Sequence, residues 1–405
     1  MSKLKIFCQI FVSIILIIYS IEILIYFFLP TEQKTLVDIK RTRIEIAKKR
    51  NINFDKRNKY SAYVSESKKN TNLSTPFYFN RSFLENKIIK KRIKENKIIP
   101  FRGPINKQTL SCAEDLNYKL INNDKYGFKN PNIVYQNQVD IILIGDSYAE
   151  GLCEDEKNDI SGHLRNLNLN TVNLGVTGSG PLLSLGILKE FIQNLNPKYI
   201  IYLYFEGNDL NDLHWENQTY LSNYLNQDFE INYIDKINEI NIFLNDFHKK
   251  RDLNLKKIND NIKVDENPDS AFFSIIIDIL EIKNIKSILR PYIFSKKNNI
   301  DIDLFYEILN LMNDEVKKNN SELIFVYLPT WSRYFTKFNE EKLLLSQKES
   351  IIDFVKRNNI RFIDFAKELE NSKKIKDYFP LGYIGHYNSE GYKKIANKVE
   401  FLIKN

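Results

Sequence analysis

The chain is short of the residues that build metal and disulfide scaffolds. Its 3 cysteines exclude a miniprotein held by disulfides and any multi-cysteine zinc module. Its 4 histidines, His163, His214, His248 and His386, are too few for a histidine-rich metal centre, so no cofactor or metal is expected. No internal repeat is visible. Charge of one sign is not concentrated either. There are 59 Lys+Arg against 51 Asp+Glu, and a net +8 spread over 405 residues is too dilute for a nucleic-acid face. What is present is apolar. Hydrophobic residues make up 43% of the chain, enough to build a core and to exclude wholesale disorder. At roughly 100–200 residues per domain the length allows two to three domains, or one with large additions.

The longest apolar run, Ile6 to Pro30 (IFCQIFVSIILIIYSIEILIYFFLP), is long enough to cross a hydrocarbon core of about 30 Å as a helix. Glu22 interrupts it, at a cost of about 2.5–3.5 kcal/mol if central and less near an end. A cleaved signal peptide would have a shorter apolar region, about 7–15 residues, followed by an A-x-A-like site. This run ends in Tyr-Phe-Phe-Leu-Pro, so an uncleaved transmembrane anchor over 6–30 is expected. Lys3 and Lys5 before it favour a cytoplasmic N-terminus. Lys34, Lys40, Arg41, Arg43, Lys48, Lys49 and Arg50 after it argue the reverse under the positive-inside rule.

Residues 31–130 read as a charged stalk and N-terminal extension, with a surface for anionic lipid as the sharper alternative. The pattern changes after Pro131. The runs 139–144 (VDIILI), 171–176 (TVNLGV), 199–205 (YIIYLYF), 322–328 (ELIFVYL) and 361–365 (RFIDF) are near-continuous apolar segments that suit strands buried on both faces of a parallel sheet. Helical stretches at 160–167, 182–195, 304–317, 341–356 and 390–403 alternate with them, which implies an α/β domain over 131–405. Residues 215–300, with helical segments at 233–247 and 271–289, form an insertion or lid.

Four short blocks fall at the carboxyl ends of these strands, where open α/β sheets bind ligands. Gly145-Asp146-Ser147 ends the first; a serine there is either a nucleophile or an ordinary turn or helix-capping residue. Residues 173–180 (NLGVTGSG) follow the second strand. They lack the G-K-[ST] of a phosphate loop, so they are a tight glycine turn or a place where Gly178 presents a bare backbone N–H to a reacting oxygen. Glu206-Gly207-Asn208-Asp209 ends the third strand, where Asn208 can aim its amide into the same crevice. Asp209 with Asp212 has too few ligands for a cation. Residues 385–392 (GHYNSEGY) precede the last helix; capping by Asn388 or Ser389 would hold His386 at the same sheet edge.

In order and position these blocks resemble the SGNH hydrolases, also called the GDSL-like esterase family, from about Val139 to the C-terminus with the insertion excluded. The resemblance implies a flavodoxin-like three-layer α/β/α domain. It also implies Ser147 as nucleophile, His386 as general base, and an oxyanion hole from Ser147, Gly178 and Asn208, with Gly175 the alternative glycine. The family's D-x-x-H has its Asp three residues before the His, and here Tyr383 stands there. Asp377 is the nearby substitute; a backbone carbonyl or the Tyr383 hydroxyl are other orienters of the imidazole.

The resemblance implies a serine esterase acting through an acyl-Ser147 intermediate on O-acetyl or short acyl esters of envelope carbohydrate. Transfer to a sugar hydroxyl, an O-acyltransferase, shares the same first half-reaction. A catalytically silent, membrane-tethered glycan-binding protein is the reading motivated by the missing Asp. Lipid hydrolysis at the bilayer, with 215–300 as lid over an acyl channel, fits the polar insertion less well. Trp331 and Tyr334 are either sugar-stacking or packing residues. Cys112 and Cys153 are either buried thiols or a disulfide clamping the Cys112 loop over the active-site helix, which needs an oxidising compartment. Anchored relatives of this type commonly act outside the cytoplasmic membrane, so the body is expected on the periplasmic side.

Overall fold

Five apolar runs pair through their backbones into one sheet, and because each carries apolar side chains on both faces the sheet is buried on both sides. A computed structural model describes residues 2–28, 36–79, 91, 93, 98–261, 279–280, 282, 285, 301–335 and 346–405. Ten strands are described: β1 (Leu73–Ser74), β2 (Phe77–Tyr78), β3 (Arg102–Gly103), β4 (Gln108–Leu110), β5 (Leu120–Asn122), β6 (Ile141–Gly145), β7 (Thr171–Asn173), β8 (Tyr199–Phe205), β9 (Glu322–Leu328) and β10 (Arg361–Asp364). The last five form a sheet in the order β10-β9-β8-β6-β7, with every neighbouring pair parallel. Counted from β6 as the first, that is 2-1-3-4-5, the flavodoxin-like doubly wound order, which opens its crevice beside the first strand.

Alternation along the strands divides the core in two. Ile142, Ile144, Tyr202, Tyr204, Phe325 and Tyr327 face one cluster; Ile141, Leu143, Ile201, Leu203, Ile324 and Val326 face the other. The helices, in chain order, are α1 (Ser2–Phe28), α2 (Leu36–Lys49), α3 (Lys59–Lys69), α4 (Ser147–Glu150), α5 (Ile160–Asn166), α6 (Pro181–Leu195), α7 (Asp209–Glu216), α8 (Ile237–Asn261), α9 (Ile302–Lys318), α10 (Ser332–Phe335), α11 (Lys348–Arg357), α12 (Phe365–Glu370) and α13 (Ser389–Lys404). Leu182 and Leu188 of α6, Phe305 and Ile308 of α9 and Ile351 of α11 cover the first face. Ile160 and Leu164 of α5 with Tyr392 and Ile395 of α13 cover the second. The result is three layers, α/β/α; the alternating pattern had implied the α/β class, and the resemblance the three layers.

The second strand is shorter than the sequence reading, β7 ending at Asn173 because Leu174 onward turns into the glycine loop. In the insertion the expected helix at 233–247 is α8, starting and ending later. Most of the 271–289 segment lies outside the described residues, as do 341–345 of the expected 341–356 helix.

The described part of 31–130 differs most from a solvated stalk. Two short sheets, β1-β4-β5 and β2-β3, form there. Leu73 and Leu110 pack with Ala62 and Tyr63 in a small core of their own, whereas Phe77, Phe79, Phe101 and Phe128 join the larger core of the first sheet face. Arg102 is buried and donates to Asn123 Oδ1, to the Gly127 carbonyl and, at 2.7 Å, to Glu150 Oε1. The apolar N-terminal run is helical in α1, where the Glu22 carboxylate accepts a hydrogen bond from the Ile285 backbone N–H at 2.8 Å. Among the described residues no helix is long and apolar enough to cross a membrane. The transmembrane helix expected over 6–30 is thus not a feature that the structure supplies.

Candidate active site

Ser147 is placed by the turn that ends β6. Gly145 sits at φ 140°, and a Cβ there would lie 2.5 Å from the Leu203 carbonyl, so only glycine fits. Asp146 then caps α4 by accepting the Tyr148 N–H at 2.8 Å, a bond worth about 1 kcal/mol. Ser147 follows as the first helical residue, with its hydroxyl at the carboxyl edge of the sheet.

The base comes from the other end of the domain. Asn388 caps α13 through the Gly391 N–H and donates to the Asp377 carbonyl at 2.8 Å. The ring of Tyr148 lies 4.6 Å from that of His386, and its hydroxyl donates to the Gly385 carbonyl. Held this way, His386 Nε2 is 2.8 Å from Ser147 Oγ. The cap on Asn388 is the device the sequence reading expected.

The carboxylate behind the imidazole is Glu114. Its Oε1 is 3.0 Å from His386 Nδ1, and its Oε2 accepts the His386 backbone N–H at 2.7 Å. This two-point grip sets both ring orientation and tautomer, leaving Nε2 to accept from the serine. Asp377 does not take this place. It lies in the short turn Ile375–Tyr378 and uses its backbone carbonyl to hold Asn388. Tyr383 packs its ring 5.6 Å from that of Trp331.

Two features fix Glu114. The Cys112–Cys153 disulfide ties its loop to the segment just after α4. From α2, Arg43 reaches across: one guanidinium nitrogen donates to the Ile384 carbonyl at 2.5 Å and lies 3.6 Å from Glu114 Oε1. Burial drives the Glu114 carboxyl up, but the charges of His386 and Arg43 and the bonds from His386 outweigh it and hold the group below its ordinary value. Burial pushes the imidazole down; the Glu114 charge and hydrogen bond more than reverse that, so His386 titrates above 6.5. Asp146, on the serine's other side at 3.3 Å, is pushed by burial up to about 6.

The glycine block separates two roles. The Gly175 N–H is spent on Asn173 Oδ1 at 2.9 Å, and a Cβ on Gly175 would lie 2.3 Å from the Glu150 nitrogen. Its task is to let the loop touch α4. Gly178 sits at φ 79° between two anchored neighbours. Thr177 gives its N–H and hydroxyl to Glu150 Oε2, and the Ser179 hydroxyl donates to the Gly145 carbonyl. Among the described residues the Gly178 N–H has no acceptor. At the end of β8, Asn208 Nδ2 donates to Asp212 Oδ2 at 2.5 Å, and its Oδ1 is buried without a partner. Asp212, raised by burial to about 7, thus orients the amide.

The sequence reading missed Glu114, Arg43, Glu150 and Asp212. The one signal toward Glu114 was Cys112, two residues before it: a disulfide to Cys153 necessarily carries the intervening loop to the site.

No protein-family model matches the chain, and comparison with curated proteins finds no match. Among solved structures it is similar to a lipolytic protein of G-D-S-L family from Desulfitobacterium hafniense (14% identity, 66% of this chain and 99% of that one, TM-score 0.37). It is also similar to a GDSL-like lipase from Bacteroides thetaiotaomicron (12%, 66% and 89%, 0.36). A third is an acetyl xylan esterase (12%, 65% and 98%, 0.37).

Proposed function

We propose that the chain is a serine ester hydrolase of SGNH type, working through an acyl-Ser147 intermediate. The observation that carries this reading is the linear relay Ser147 Oγ–His386 Nε2 at 2.8 Å and His386 Nδ1–Glu114 at 3.0 Å. His386 takes the serine proton as Oγ attacks the ester carbonyl, then returns it to the leaving alcohol. Negative charge on the tetrahedral oxygen meets the N–H groups of Ser147 and Gly178 and the Asn208 amide. Each such donor typically contributes about 2.7–4 kcal/mol to the barrier reduction. In the second half His386 activates the acceptor, water for an esterase.

The proposed substrates are O-acetyl or short acyl esters of envelope carbohydrate. The proposed setting is extracytoplasmic; the Cys112–Cys153 disulfide supports an oxidising compartment. Fluorophosphonate labelling of the full chain tests the reading. Labelling should be lost in both Ser147→Ala and His386→Ala. A folded wild-type chain that stays unlabelled by even a small probe, and that cleaves no short acyl ester, would overturn it.

A further inference from the structure

The disulfide lies against the relay. Cys153 Sγ, a Glu114 carboxylate oxygen and a His386 ring nitrogen all lie within 4.8 Å of one another, and Cys112 Sγ is bonded to Cys153 Sγ with the Cα atoms 4.9 Å apart. While the bond is closed, neither sulfur is a thiolate. Once it opens, the Cys153 thiolate, the carboxylate and the imidazole already stand together, and Cys112 Sγ, outside that group but bonded to it through Cys153, is the donor that has to swing in. Four donors of that softness are a tetrahedral zinc set. Zinc–ligand bonds of about 2.0–2.3 Å place donors about 3.5 Å apart, so the three grouped donors need only side-chain adjustment, and Cys112 Sγ has to move in beside them.

We propose that the reduced protein binds one zinc ion through Cys112, Glu114, Cys153 and His386, and that this metal silences Ser147. The binding stands by itself; the silencing rests on the hydrolase reading. A dithiol opens the disulfide: the Sγ–Sγ bond breaks, two protein thiols form, and the reductant closes into its own disulfide. Zinc displaces both thiol protons to solvent and is held by two thiolates, the Glu114 carboxylate and neutral His386. Three anionic ligands leave the site at a net charge of −1, which the Arg43 guanidinium, 3.6 Å from Glu114, offsets. We assign the metal-binding nitrogen as Nδ1, the one that meets Glu114, because Nε2 is turned to Ser147 Oγ. Metal on Nδ1 leaves the ring proton on Nε2. The imidazole then donates toward Ser147 Oγ and can no longer accept its proton. One disulfide therefore separates two uses of the same Glu and His, a proton relay when closed and a metal site when open.

Cobalt titration of the full chain in detergent tests this, in a Cys8→Ser background to remove the third thiol. A phosphine serves as reductant, because it reduces the disulfide without the competing thiols of a dithiol. The reduced chain should take one equivalent of Co²⁺, with thiolate-to-cobalt charge-transfer bands and the visible bands of a tetrahedral ion, and Zn²⁺ should displace it. The oxidised chain should show neither. Cys153→Ser, His386→Ala and Glu114→Gln should each weaken binding by at least about tenfold, since losing a ligand costs no less than losing an outer-shell partner. Circular dichroism of each variant with metal absent keeps misfolding apart from ligand loss.

A reduced chain that binds no more cobalt than the oxidised one would overturn the proposal. So would binding that His386→Ala leaves unchanged, because the thiols would then hold the metal elsewhere. For the second half, zinc should abolish fluorophosphonate labelling of the reduced chain only, and a chelator should restore it. If metal binds as described but the oxidised, metal-free chain never labels, the metal site stands and the hydrolase reading falls.

Discussion

Glu114 holds His386 twice, by a carboxylate oxygen 3.0 Å from Nδ1 and by the other oxygen on the backbone N–H at 2.7 Å. The two residues are 272 positions apart. A carboxylate from an N-terminal extension thus fills the place that a residue just before the histidine fills in the D-x-x-H arrangement. Ring and main chain are gripped together, so the acid orients the whole histidine loop as well as the imidazole.

Replacing Glu114 with Gln should therefore cost far more than replacing Asp377 with Asn. For a neutral amide at Nδ1 that presents the wrong tautomer, kcat should fall by up to about 10⁴-fold. Asp377→Asn keeps the carbonyl that holds Asn388 and should stay close to wild type. Steady-state hydrolysis of a chromogenic short acyl ester separates the two, and equal losses would remove Glu114 from the relay.

The pH profile should carry the same signature. His386 must be neutral to accept the serine proton, and its pKa is raised above 6.5 by the Glu114 charge against the opposing effect of burial. Activity should then rise with pH through an apparent pKa above 6.5, and Glu114→Gln should move that limb downward. The sign for stability is opposite. A raised histidine stabilises the fold fully below about 6.5 and loses that contribution as pH climbs through the folded value. A chemical denaturation series across this window should show wild type losing its advantage over His386→Ala as pH rises.

Arg43 should behave as a positioning residue. It touches Glu114 and the Ile384 carbonyl, and its loss frees the acid and the histidine loop together. Arg43→Ala should lower kcat by about tenfold or more with little change in KM, and move the acid limb of the pH profile. Arg43→Lys, which keeps the charge but not the fork, should recover part of it. A deletion that removes α2 should reproduce the Arg43→Ala defect.

Gly175 and Gly178 should part by type of damage. A methyl on Gly175 meets the Glu150 nitrogen at 2.3 Å, so Gly175→Ala should destabilise the fold by about 1–3 kcal/mol, read by chemical denaturation. Removing the Asn208 amide with Asn208→Ala should instead cost about 2.7–4 kcal/mol in the barrier while leaving most of the stability in place. A denaturation midpoint lowered as much by Asn208→Ala as by Gly175→Ala would argue for a structural asparagine.

The strands, their parallel class and the four blocks at the sheet edge were readable from the amino-acid sequence alone, because those depend on local rules. Buried strands must be apolar on both faces, a strand-to-helix turn at Gly145 needs a glycine, and Asn388 announces a helix start with His386 just ahead of it. The resemblance prefers Gly178 to Gly175, and in the structure the Gly175 N–H is taken by Asn173 Oδ1. Tertiary structure alone decided the acid. Glu114, Arg43 and Glu150 act through contacts with distant parts of the chain, and one such carboxylate among 51 acidic residues carries no periodicity and no turn signal. Asp377 was chosen for nearness in sequence, whereas a charged side chain is matched to its partner by nearness in space. In the extension at 31–130 the charges look solvated in sequence, whereas in space Arg102 meets the buried Glu150 of the α/β domain and Arg43 meets Glu114, 71 residues along the chain.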